Sequence, residues 1–463
     1  MSHRKNLHRQ LADTLSARGD ELAAQGHLDD AVSVYFQSLG LRSNNPALLR
    51  KIGHLYEQSG ESEAARMCQL GVIPDAANER YFDAAALGHK LLTVDNSPST
   101  ETYRISASEN VALTPPVAHG KPGKYNQFNR RQTECRGCLL TRTTAGEVWF
   151  DGLNTLVIDK ERNILREHGK GNELLAWRAA TTKPPSHLPG RVCFLDARSS
   201  AIYYHWMLDV LPKLHILTEA GIALDSIDTF VVRATSVFQL ATLERFGIPR
   251  EKVYFEDFGT HISADELLVP LLKNDLGDKI YTGLGLGVAS WVPDFLKSSF
   301  LDQPTAIEGS PPSRRIYITR KDASSRRLLN EQELEPLLKD FGFEACQFDG
   351  MSVAAQAKLM SEVDCIVAPH GAGLTNLAFC QSGGKLLEIF GDYIVPCYWS
   401  LSNLVGLEYH YFMADAAEQH PSRPQSTIHS TGSQAREVVA QRRAKDLIVE
   451  PESLERALKT LCS

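Results

Sequence analysis

The sequence predicts an α/β protein with two doubly wound domains that face each other across a cleft, preceded by a short α-helical repeat segment. Short apolar runs alternate with amphipathic stretches through most of the chain, which is the pattern of parallel strands linked by helices. A Pro- and Ser-rich stretch divides this series into two. Small residues recur at helical spacing near the N-terminus. The predicted domains are residues 1–92, 93–310 and 311–463.

Composition and charge limit the functions that the chain can have. The 463 residues are 43% hydrophobic and 23% charged, enough for two or three globular domains with sizeable cores. A formal net charge of -7 gives no overall basic surface to attract nucleic acid or anionic lipid, so an anion site must be built locally. The stretch "MSHRKNLHRQLADTL" lacks the apolar core of a signal peptide, and no apolar run of about 18 residues follows. We therefore expect a cytoplasmic protein with no transmembrane segment and no nucleic-acid partner.

The nine cysteines are scattered and odd in number, which is typical of reduced thiols in the cytosol. Cys135 and Cys138 form a single CxxC, "CRGC". A structural zinc needs four ligands, and the sequence has neither a second CxxC nor an HxxxH pair. The pattern therefore favours a turn with two free thiols, and no metal site is expected.

Residues 1–92 contain a repeat with a period of 34 residues. The blocks "GDELAAQGHLDDAVSVY" and "GHLYEQSGESEAARMCQ" resemble the helical hairpins of tetratricopeptide repeats. The matching positions are Gly19, Leu22, Gly26 and Ala31 in the first block and Gly53, Tyr56, Gly60 and Ala65 in the second. Because about three units are normally needed for independent stability, the segment is expected to lean on the next domain. It is either a docking surface for a protein partner or a helical brace.

From residue 93 onward the elements can be placed in order. The stretch "TVDNSPSTETY" near residues 93–103 predicts a linker. "CLLTRTTAGEVWFDGLNTLVIDKERNILREHG" alternates β-branched and polar residues between glycines, which predicts hairpins. Beyond "RVCFLDAR" we predict helices in "YYHWMLDVLPKLHILTEAG", "VFQLATLERFG" and "GVASWVPDFLKSSF", and strands in "IDTFVVRA" and "ELLVPLL".

The second α/β series begins after "EGSPPSRR", another predicted linker. We predict strands in "RIYITR", "FEACQFD", "CIVAP" and "KLLEIF", and helices in "NEQELEPLLKDFG", "SVAAQAKLMSEVD" and "GLTNLAFC". The last helix is expected to pack back across the two lobes. Sheets of this kind bind ligands at the carboxyl ends of their strands, so the loops there are the candidate site.

The loop "HGAG" follows the carboxyl end of the predicted strand "CIVAP". Gly371 and Gly373 lack Cβ atoms, so a phosphate can approach the unpaired N–H groups around Ala372 at the start of the next helix. His370 and Asn376 add hydrogen-bonding groups. Alternatively, the glycines serve only the geometry of a tight turn.

Basic side chains follow the first strand of the same predicted domain. "TRKDASSRRLLNE" carries Arg320, Lys321, Arg326 and Arg327, and guanidinium groups bind phosphate oxygens bidentately. Two such loops on neighbouring strands predict a diphosphate clamp, and the alternative is a solvated basic surface. Glu388 lies inside the apolar strand "KLLEIF", where a carboxylate needs a partner. It either accepts ribose hydroxyls or forms a salt bridge with one of the arginines.

The predicted helix "YYHWMLDVLPKL" carries a second set of candidates. His205 and Asp209 lie at positions i and i+4, so imidazole and carboxylate share one face, and either can act as a general base. Tyr203 and Trp206 are candidates for stacking on a sugar, with aromatic core packing as the default. The alternative for His205 is a structural role, as a core histidine whose hydrogen bonds are made within the protein.

Three motifs in this order resemble glycosyltransferase family 61: "YYHWMLDVLPKL", "RRIYITRKDASSRRLLNEQEL" and "IVAPHGAGLTNLAFCQSGGKLLEIF". The resemblance runs over roughly residues 110 to 412. It implies a GT-B fold of two Rossmann-like domains, a nucleotide-sugar donor and inversion at the anomeric carbon. It also implies a donor loop at His370–Asn376 and a helix bearing the HW motif. The Arg/Asn block that it implies consists of Arg320, Arg326, Arg327 and Asn330.

Two features depart from that family. Tyr203 stands where members often have Asn, which affects acceptor contacts, and the membrane anchors of animal and plant members are not seen. A bacterial-type cytosolic enzyme fits these features better. The stretch "AEQHPSRPQSTIHSTGSQAREVVAQRRAK" is predicted to be a mobile loop that either covers the cleft or has no role.

The sequence therefore predicts a glycosyltransferase that moves a sugar from a nucleotide-diphosphate donor, expected to be UDP-linked, to a glycan or glycoconjugate acceptor. Capsule or envelope polysaccharide synthesis is a role of this kind. No DxD follows a strand, so cationic side chains rather than a divalent metal are expected to neutralise the diphosphate, and no cofactor is expected. Two alternatives remain open. One is a nucleotide-sugar epimerase of similar fold, and the other is a non-catalytic repeat protein that binds or scaffolds.

Overall fold

The computed structural model describes most of the chain. The described residues are 2–41, 45–69, 73–74, 91–123, 125–135, 137–152, 154–169, 176–177, 180, 184–197, 199–255, 260–272, 287–301, 312–417 and 442–463. Half of the predicted linker "EGSPPSRR", residues 308–311, and most of the predicted loop in residues 417–445 lie outside these ranges. Across the described residues, no helix combines the length and apolar character needed to cross a bilayer.

The helices and strands fall where the periodicities indicate. The helices are α1 Ser2–Ala24, α2 Leu28–Leu41, α3 Pro46–Gln58, α4 Ser62–Gln69, α5 Tyr203–His205, α6 Pro212–Glu219, α7 Val237–Arg245, α8 Val292–Phe300, α9 Glu331–Asp340, α10 Val353–Ser361, α11 Cys397–Val405 and α12 Pro451–Leu461. The strands are β1 Leu91–Leu92, β2 Thr100–Arg104, β3 Glu109–Ala112, β4 Val117–Gly120, β5 Gln132–Cys135, β6 Leu139–Thr144, β7 Glu147–Phe150, β8 Thr155–Ile158, β9 Ile164–Leu165, β10 Ser186–Phe194, β11 Thr229–Val231, β12 Val253–Tyr254, β13 Thr260–Leu271, β14 Arg314–Ile318, β15 Phe343–Cys346, β16 Val363–Pro369, β17 Lys385–Phe390, β18 Glu408–Met413, β19 Asp415–Ala416 and β20 Leu447–Ile448. A π-helical turn, Trp206–Val210, joins α5 to α6, and a 3-10 helix, Ala372–Phe379, follows β16.

The first four helices form two hairpins with their own apolar core. The repeated glycines Gly26 and Gly60 occupy the two hairpin turns with φ of 81° and 80°, a left-handed conformation that glycine adopts at little cost. Gly19 and Gly53 instead lie where helices approach closely, because a Cβ at Gly53 would lie 3.2 Å from Cys68. The 34-residue repeat is therefore present in the backbone, and its assignment to tetratricopeptide repeats stays a prediction.

The first sheet is mixed rather than purely parallel. Its ten strands run β1-β9-β8-β7-β13-β10-β11-β12, with β6 and β2 added beside β13. Strands β13, β10, β11 and β12 are parallel neighbours, whereas β6, β7 and β8 pair antiparallel. The predicted doubly wound parallel sheet is thus correct for only part of this sheet, because the predicted hairpin strands join its edge.

The second sheet is parallel throughout, in the order β15-β14-β16-β17-β18-β4. Alternate residues of β16 contribute to different cores: Ile366 and Ala368 face one side of the sheet, and Cys365 and Val367 face the other. This is the two-faced burial expected for a strand covered by helices on both sides. The edge strand β4 comes from residues 117–120, which the sequence prediction assigned to the preceding domain.

Two further expectations differ from the structure. The predicted linker near residues 93–103 contains the 3-10 turn Val94–Asn96 and strand β2, which pairs with β6. The last helix, α12, buries Leu454, Leu458 and Leu461 in the core on one face of the second sheet instead of crossing between lobes. Its apolar face matches that sheet, so burial there removes it from water.

The two sheets share one apolar core. A single buried cluster contains Met207 and Leu211 from the segment after α5, Leu374 and Phe379 from the 3-10 helix, and Trp399 from α11. Helix α5, which follows strand β10 of the first sheet, therefore packs directly against the 3-10 helix that follows β16. This contact determines where the candidate residues of the two lobes meet.

We predict that Phe128, which follows β4, anchors its segment to the second sheet. Its ring stacks on Tyr411 with centroids 4.4 Å apart and packs edge-on against Trp399 at 5.6 Å. Phe128→Ala should lower the free energy of unfolding by about 3–5 kcal/mol, measured by chemical denaturation followed by tryptophan fluorescence. Val237→Ala, at a side chain 87% exposed, is the control and should change it little. Equal effects of the two variants would contradict this anchoring role.

Candidate functional site

The predicted basic loop and the predicted HGAG loop meet at the carboxyl edge of the second sheet. Strands β14 and β16 are parallel neighbours, so the segments that leave their carboxyl ends lie side by side. Arg326 Nε donates to the carbonyl oxygen of His370 at 2.9 Å, which joins the two loops directly. The juxtaposition expected from the sequence is present.

Three arginines converge here. Arg326 Nη1 donates to the carbonyl oxygen of Arg443 at 3.1 Å, and Arg320 Nη2 donates to that of Ser325 at 3.0 Å. Arg320 Nε is buried and makes no hydrogen bond with the described part of the chain. Arg326 has φ of 56°, a conformation that costs a non-glycine residue about 1–2 kcal/mol and is found preferentially at ligand sites.

This arginine cluster, Arg320, Arg326 and Arg443, carries uncompensated charge. Within the described ranges, none of the three forms an ion pair with a carboxylate. Burial, together with the charges of Arg320 and Arg443, lowers the pKa of Arg326 to about 10. Burial also lowers the pKa of Arg320. A partly buried cluster of this kind attracts an anion with several negative oxygens.

Arg443 is the member that sequence analysis missed. It lies 117 residues beyond Arg326, in a stretch whose composition predicts a mobile loop, so no local pattern connects it to the site. By contrast, Arg142 and Arg191 in the first sheet both pair with Glu266, at 2.8 and 3.0 Å. Arginine content alone therefore does not identify the site, whereas the convergence of three guanidinium groups without an ion pair among the described residues distinguishes it.

Gly371 is required for a different reason from the one predicted. Its φ of -176° is ordinary extended backbone. A Cβ at this position would collide with Nη1 of Arg320, so the missing side chain makes room for the guanidinium rather than for a phosphate. Ala372 and Gly373 are partly exposed at the start of the 3-10 helix, where the first N–H groups have no intrahelical acceptor. The N–H groups at these two positions therefore remain candidates for anion binding.

His370 is nearly buried, at 8% exposure, and pairs with Glu388. His370 Nδ1 and Glu388 Oε1 are 2.5 Å apart, and the Tyr409 hydroxyl donates to Glu388 Oε2 at 2.6 Å. Because Glu388 is fully buried, it is not accessible to ribose hydroxyls, and its partner is His370 rather than an arginine. Both readings of Glu388 from the sequence were therefore wrong.

Two predicted acceptor contacts have structural partners instead. The Tyr203 hydroxyl donates to Asn376 Oδ1 at 2.7 Å, and Asn376 Nδ2 donates to Gln356 Oε1 at 2.7 Å. Trp206 is fully buried and donates from Nε1 to Thr242 Oγ1 at 2.9 Å. Aromatic packing in the core, the default for Tyr203 and Trp206, is what the structure contains, and Asn376 is fully buried away from any ligand.

Arg327 and Asn330 also have structural roles. Arg327 forms an ion pair with Asp446, donating from Nε to Oδ2 at 3.1 Å, so its charge is compensated. Asn330 Nδ2 donates to the carbonyl oxygen of Val449 at 2.7 Å and Asn330 Oδ1 accepts from the Val449 N–H at 3.1 Å. Both residues attach the chain after Arg326 to the C-terminal segment instead of facing the arginine cluster.

His205 and Asp209 form the predicted pair. His205 Nδ1 lies 2.6 Å from Asp209 Oδ2, and their side chains are 22% and 26% exposed. The intervening residues Trp206–Val210 form a π-helical turn, a distortion that is frequent at functional sites. With Nδ1 donating to the carboxylate, the other ring nitrogen of His205 is left to accept a proton.

A line of aromatic rings connects this pair to the arginine cluster. The ring centroids of His205 and Tyr204 are 5.2 Å apart, those of Tyr204 and Tyr398 5.8 Å, and those of Tyr398 and His370 5.5 Å. A row of packed rings therefore links the imidazole–carboxylate pair of the first lobe to the basic loops of the second. Sequence analysis did not identify Tyr398, which is separated from these motifs along the chain.

Cys135 and Cys138 are thiols outside any disulfide bond, as the sequence predicts, and both are buried. Cys135 Sγ lies 2.9 Å from the carbonyl oxygen of Val288. Among the residues that the structure describes, no group of three or more His, Cys, Asp or Glu side chains is placed to hold a metal ion.

We predict that the Tyr203 hydroxyl stabilises the contact between the lobes. Tyr203→Phe should lower the free energy of unfolding by about 1–3 kcal/mol, because it leaves the buried Asn376 Oδ1 without its donor. Tyr103→Phe removes an exposed hydroxyl bonded to Glu101 at 2.9 Å and should cost far less. Chemical denaturation of both variants measures the difference. If Tyr203→Phe is no more costly than its control, the hydroxyl does not hold the lobes together.

Comparison with known proteins gives two kinds of match. An EGF domain-specific O-linked N-acetylglucosamine transferase of Drosophila melanogaster is 27% identical over 117 residues, 24% of this chain and 22% of that protein. A β-1,2-xylosyltransferase of Oryza sativa is 32% identical over 89 residues, 19% of this chain and 16% of that protein. The chain thus aligns with about a fifth of the length of these curated relatives.

The second match is a family. The model of Glycosyltransferase 61 matches residues 203–387, which begin at α5 and end inside β17. This range contains the His205–Asp209 pair, two members of the arginine cluster and the HGAG loop, and it ends before Arg443. The resemblance that the three motifs indicated is confirmed over residues 203–387, the part of this chain that matches the glycosyltransferase 61 family model.

Proposed function

We propose that the chain is an inverting glycosyltransferase that moves a sugar from a nucleotide-diphosphate donor to a hydroxyl group of a glycan or glycoconjugate. The observation that carries this proposal is the arginine cluster, whose charge has no carboxylate partner among the described residues. A row of packed rings links it to the His205–Asp209 pair. The family match and the names of the two relatives support glycosyl transfer.

On the donor side, the arginine cluster binds the diphosphate. As the bond between the anomeric carbon and the phosphate oxygen breaks, its electron pair stays on that oxygen and negative charge grows there. Arg320, Arg326 and Arg443 then interact more strongly with the transition state than with the bound donor, which lowers the barrier. The N–H groups at Ala372 and Gly373 add donors without a net charge. Loss of one such contact typically raises a barrier by about 3–4 kcal/mol.

On the acceptor side, His205 is the general base and Asp209 orients it. Asp209 accepts the Nδ1 hydrogen bond, so Nε2 is available to take the proton from the acceptor hydroxyl. The acceptor oxygen forms its bond to the anomeric carbon as the diphosphate leaves from the opposite face. This single displacement inverts the configuration at that carbon.

The finer parts of the proposal rest on the same site. A UDP-linked donor, such as UDP-N-acetylglucosamine or UDP-xylose, is suggested by what the two relatives are named for. A GT-B arrangement fits a parallel sheet whose carboxyl edge faces a first lobe across the site. Use in capsule or envelope polysaccharide synthesis, and docking of a protein partner by the N-terminal hairpins, complete the proposal.

A donor screen tests the proposal directly. The full chain is melted with UDP, GDP, CDP and their sugars, because a ligand at about 100 times its Kd adds roughly 2.7 kcal/mol of stability. The nucleotide sugar that carries the bound nucleotide is then incubated with the chain and a panel of glycan acceptors. A glycoside product of inverted configuration supports the proposal. Isomerised nucleotide sugar without acceptor would support an epimerase, and binding without any turnover would support a scaffold.

We predict that the arginine cluster is needed for nucleotide binding and that neighbouring charge is not. Arg320→Met and Arg326→Met should abolish most of the rise in melting temperature caused by UDP, because each removes a cation from the diphosphate site. Arg327→Met changes the same net charge at the next residue but acts on an arginine paired with Asp446. It should keep the UDP response. A similar loss of the UDP response in all three variants would show that net charge, and not the arginine cluster itself, determines nucleotide binding.

We predict that loss of Asp209 impairs sugar transfer but not nucleotide binding. Asp209→Ala should keep the UDP response and lower kcat for transfer by about 10²–10⁴-fold, because His205 loses its orienting carboxylate. The matched control is Glu219→Ala, which removes the carboxylate of another i, i+4 pair, with His215 at 3.9 Å on the next helix. That variant should transfer sugar normally. Unchanged transfer by Asp209→Ala would remove the residue from the mechanism.

A further inference from the structure

A buried group beneath the arginine cluster has no role in the reaction described so far. It consists of His370, Glu388 and Tyr409, linked by contacts of 2.5 Å between Nδ1 and Oε1 and of 2.6 Å from the hydroxyl to Oε2. Glu388 is fully buried, whereas the His370 side chain keeps 10% exposure. With Nδ1 turned to Glu388, Nε2 is the ring nitrogen that remains for a ligand.

The surroundings of His370 disfavour an imidazolium. Its ring packs against Phe390, Tyr393 and Tyr398, with centroids 5.2, 5.8 and 5.5 Å away. Burial and the positive charges of Arg326, Arg320 and Arg443 hold the pKa of His370 well below its usual range. The ring is therefore neutral and carries a single proton.

Burial favours the neutral form of Glu388 as well. It raises the pKa of the Glu388 carboxyl well above its usual range, so the protonated acid is favoured despite the Tyr409 hydrogen bond. A neutral acid and a neutral imidazole can share this hydrogen bond in two ways, but Glu388 Oε2 already accepts from the Tyr409 hydroxyl, which leaves the acid proton on Oε1. The carboxyl O–H donates to Nδ1, and the single imidazole proton then lies on Nε2.

We propose that Glu388 is a positioning residue that keeps the His370 proton on Nε2, so that the ring presents an N–H donor to the diphosphate beside the arginine cluster. This inference rests on the proposed function for the identity of the anion. Tyr409 takes part by holding the other carboxyl oxygen. A phosphate oxygen accepts hydrogen bonds and offers none, so only the Nε2–H form of a neutral His370 is complementary to it.

The tautomer is tested in the ligand-free protein. Two-bond ¹H–¹⁵N NMR spectra of the full chain labelled at histidine nitrogens distinguish a protonated from an unprotonated ring nitrogen. The His370 signals are assigned by their loss in His370→Asn. The expected result is a protonated Nε2 and an unprotonated Nδ1. A proton on Nδ1 instead would overturn the inference while leaving the proposed function intact.

The binding role is tested with UDP by calorimetry. Glu388→Leu should weaken UDP binding about tenfold, because Nδ1 loses the donor that fixes the ring. Glu388→Gln should restore most of the affinity, since the amide N–H can donate to Nδ1 while its carbonyl accepts from Tyr409. In a His370→Asn background, Glu388→Leu should cause no further loss, as expected for residues that act through one another.

A matched control separates positioning from general stability. Glu147→Leu disrupts another buried pair, with His261 Nε2 at 3.1 Å from Glu147 Oε2 in the first sheet. It should lower the melting temperature and leave UDP affinity unchanged. Equal weakening by Glu147→Leu, or additive losses with His370→Asn, would overturn the positioning role. A wild-type chain that binds neither UDP nor pyrophosphate overturns the proposed function, and the role of Glu388 toward a diphosphate falls with it.

Discussion

The candidate site depends on positive charge that the fold partly buries without pairing it with a carboxylate among the described residues. Removing a guanidinium from water costs several kcal/mol, and carbonyl oxygens return only part of that cost. Arg320 and Arg326 are held by the carbonyl oxygens of Ser325, His370 and Arg443. These acceptors fix the guanidinium groups in place but leave the net charge intact. In the proposed function, this remaining cost is recovered when the diphosphate binds, so part of the chain's stability is converted into affinity for the donor.

The same constraint explains why a carboxyl group so close to the arginines does not pair with them. A carboxylate that reached Arg326 would compete with phosphate for the same hydrogen bonds. Strand β17 instead directs Glu388 to His370 and Tyr409. Burial then favours the neutral acid. The strand thus places a carboxyl group next to the site that supports a histidine without cancelling the charge that attracts the ligand.

The sequence could predict what depends on local order along the chain. Alternating strands and helices place His370 and Arg326 at neighbouring strand ends, and helical spacing places His205 beside Asp209. It could not predict what depends on distant packing. Arg443 contacts Arg326, and β4 pairs with β18, across long stretches of chain. No hydrophobic periodicity in the sequence indicates such contacts. The ligand-binding roles predicted for polar residues in the motifs fail for a related reason. A buried polar side chain needs a partner, and only the three-dimensional structure shows whether that partner is protein or ligand.

The contact between the lobes limits how substrates can enter. The Tyr203 to Asn376 hydrogen bond is partly buried, and separating helix α5 from the 3-10 helix would break it, besides exposing the shared core. The Tyr204 and Tyr398 rings pack across the same boundary. His205 and the arginine cluster are therefore held by one packed unit, which fixes their separation and, in the proposed reaction, favours a direct displacement. Substrate entry is then expected through the surrounding loops, since opening this boundary would also dismantle the geometry that the reaction needs.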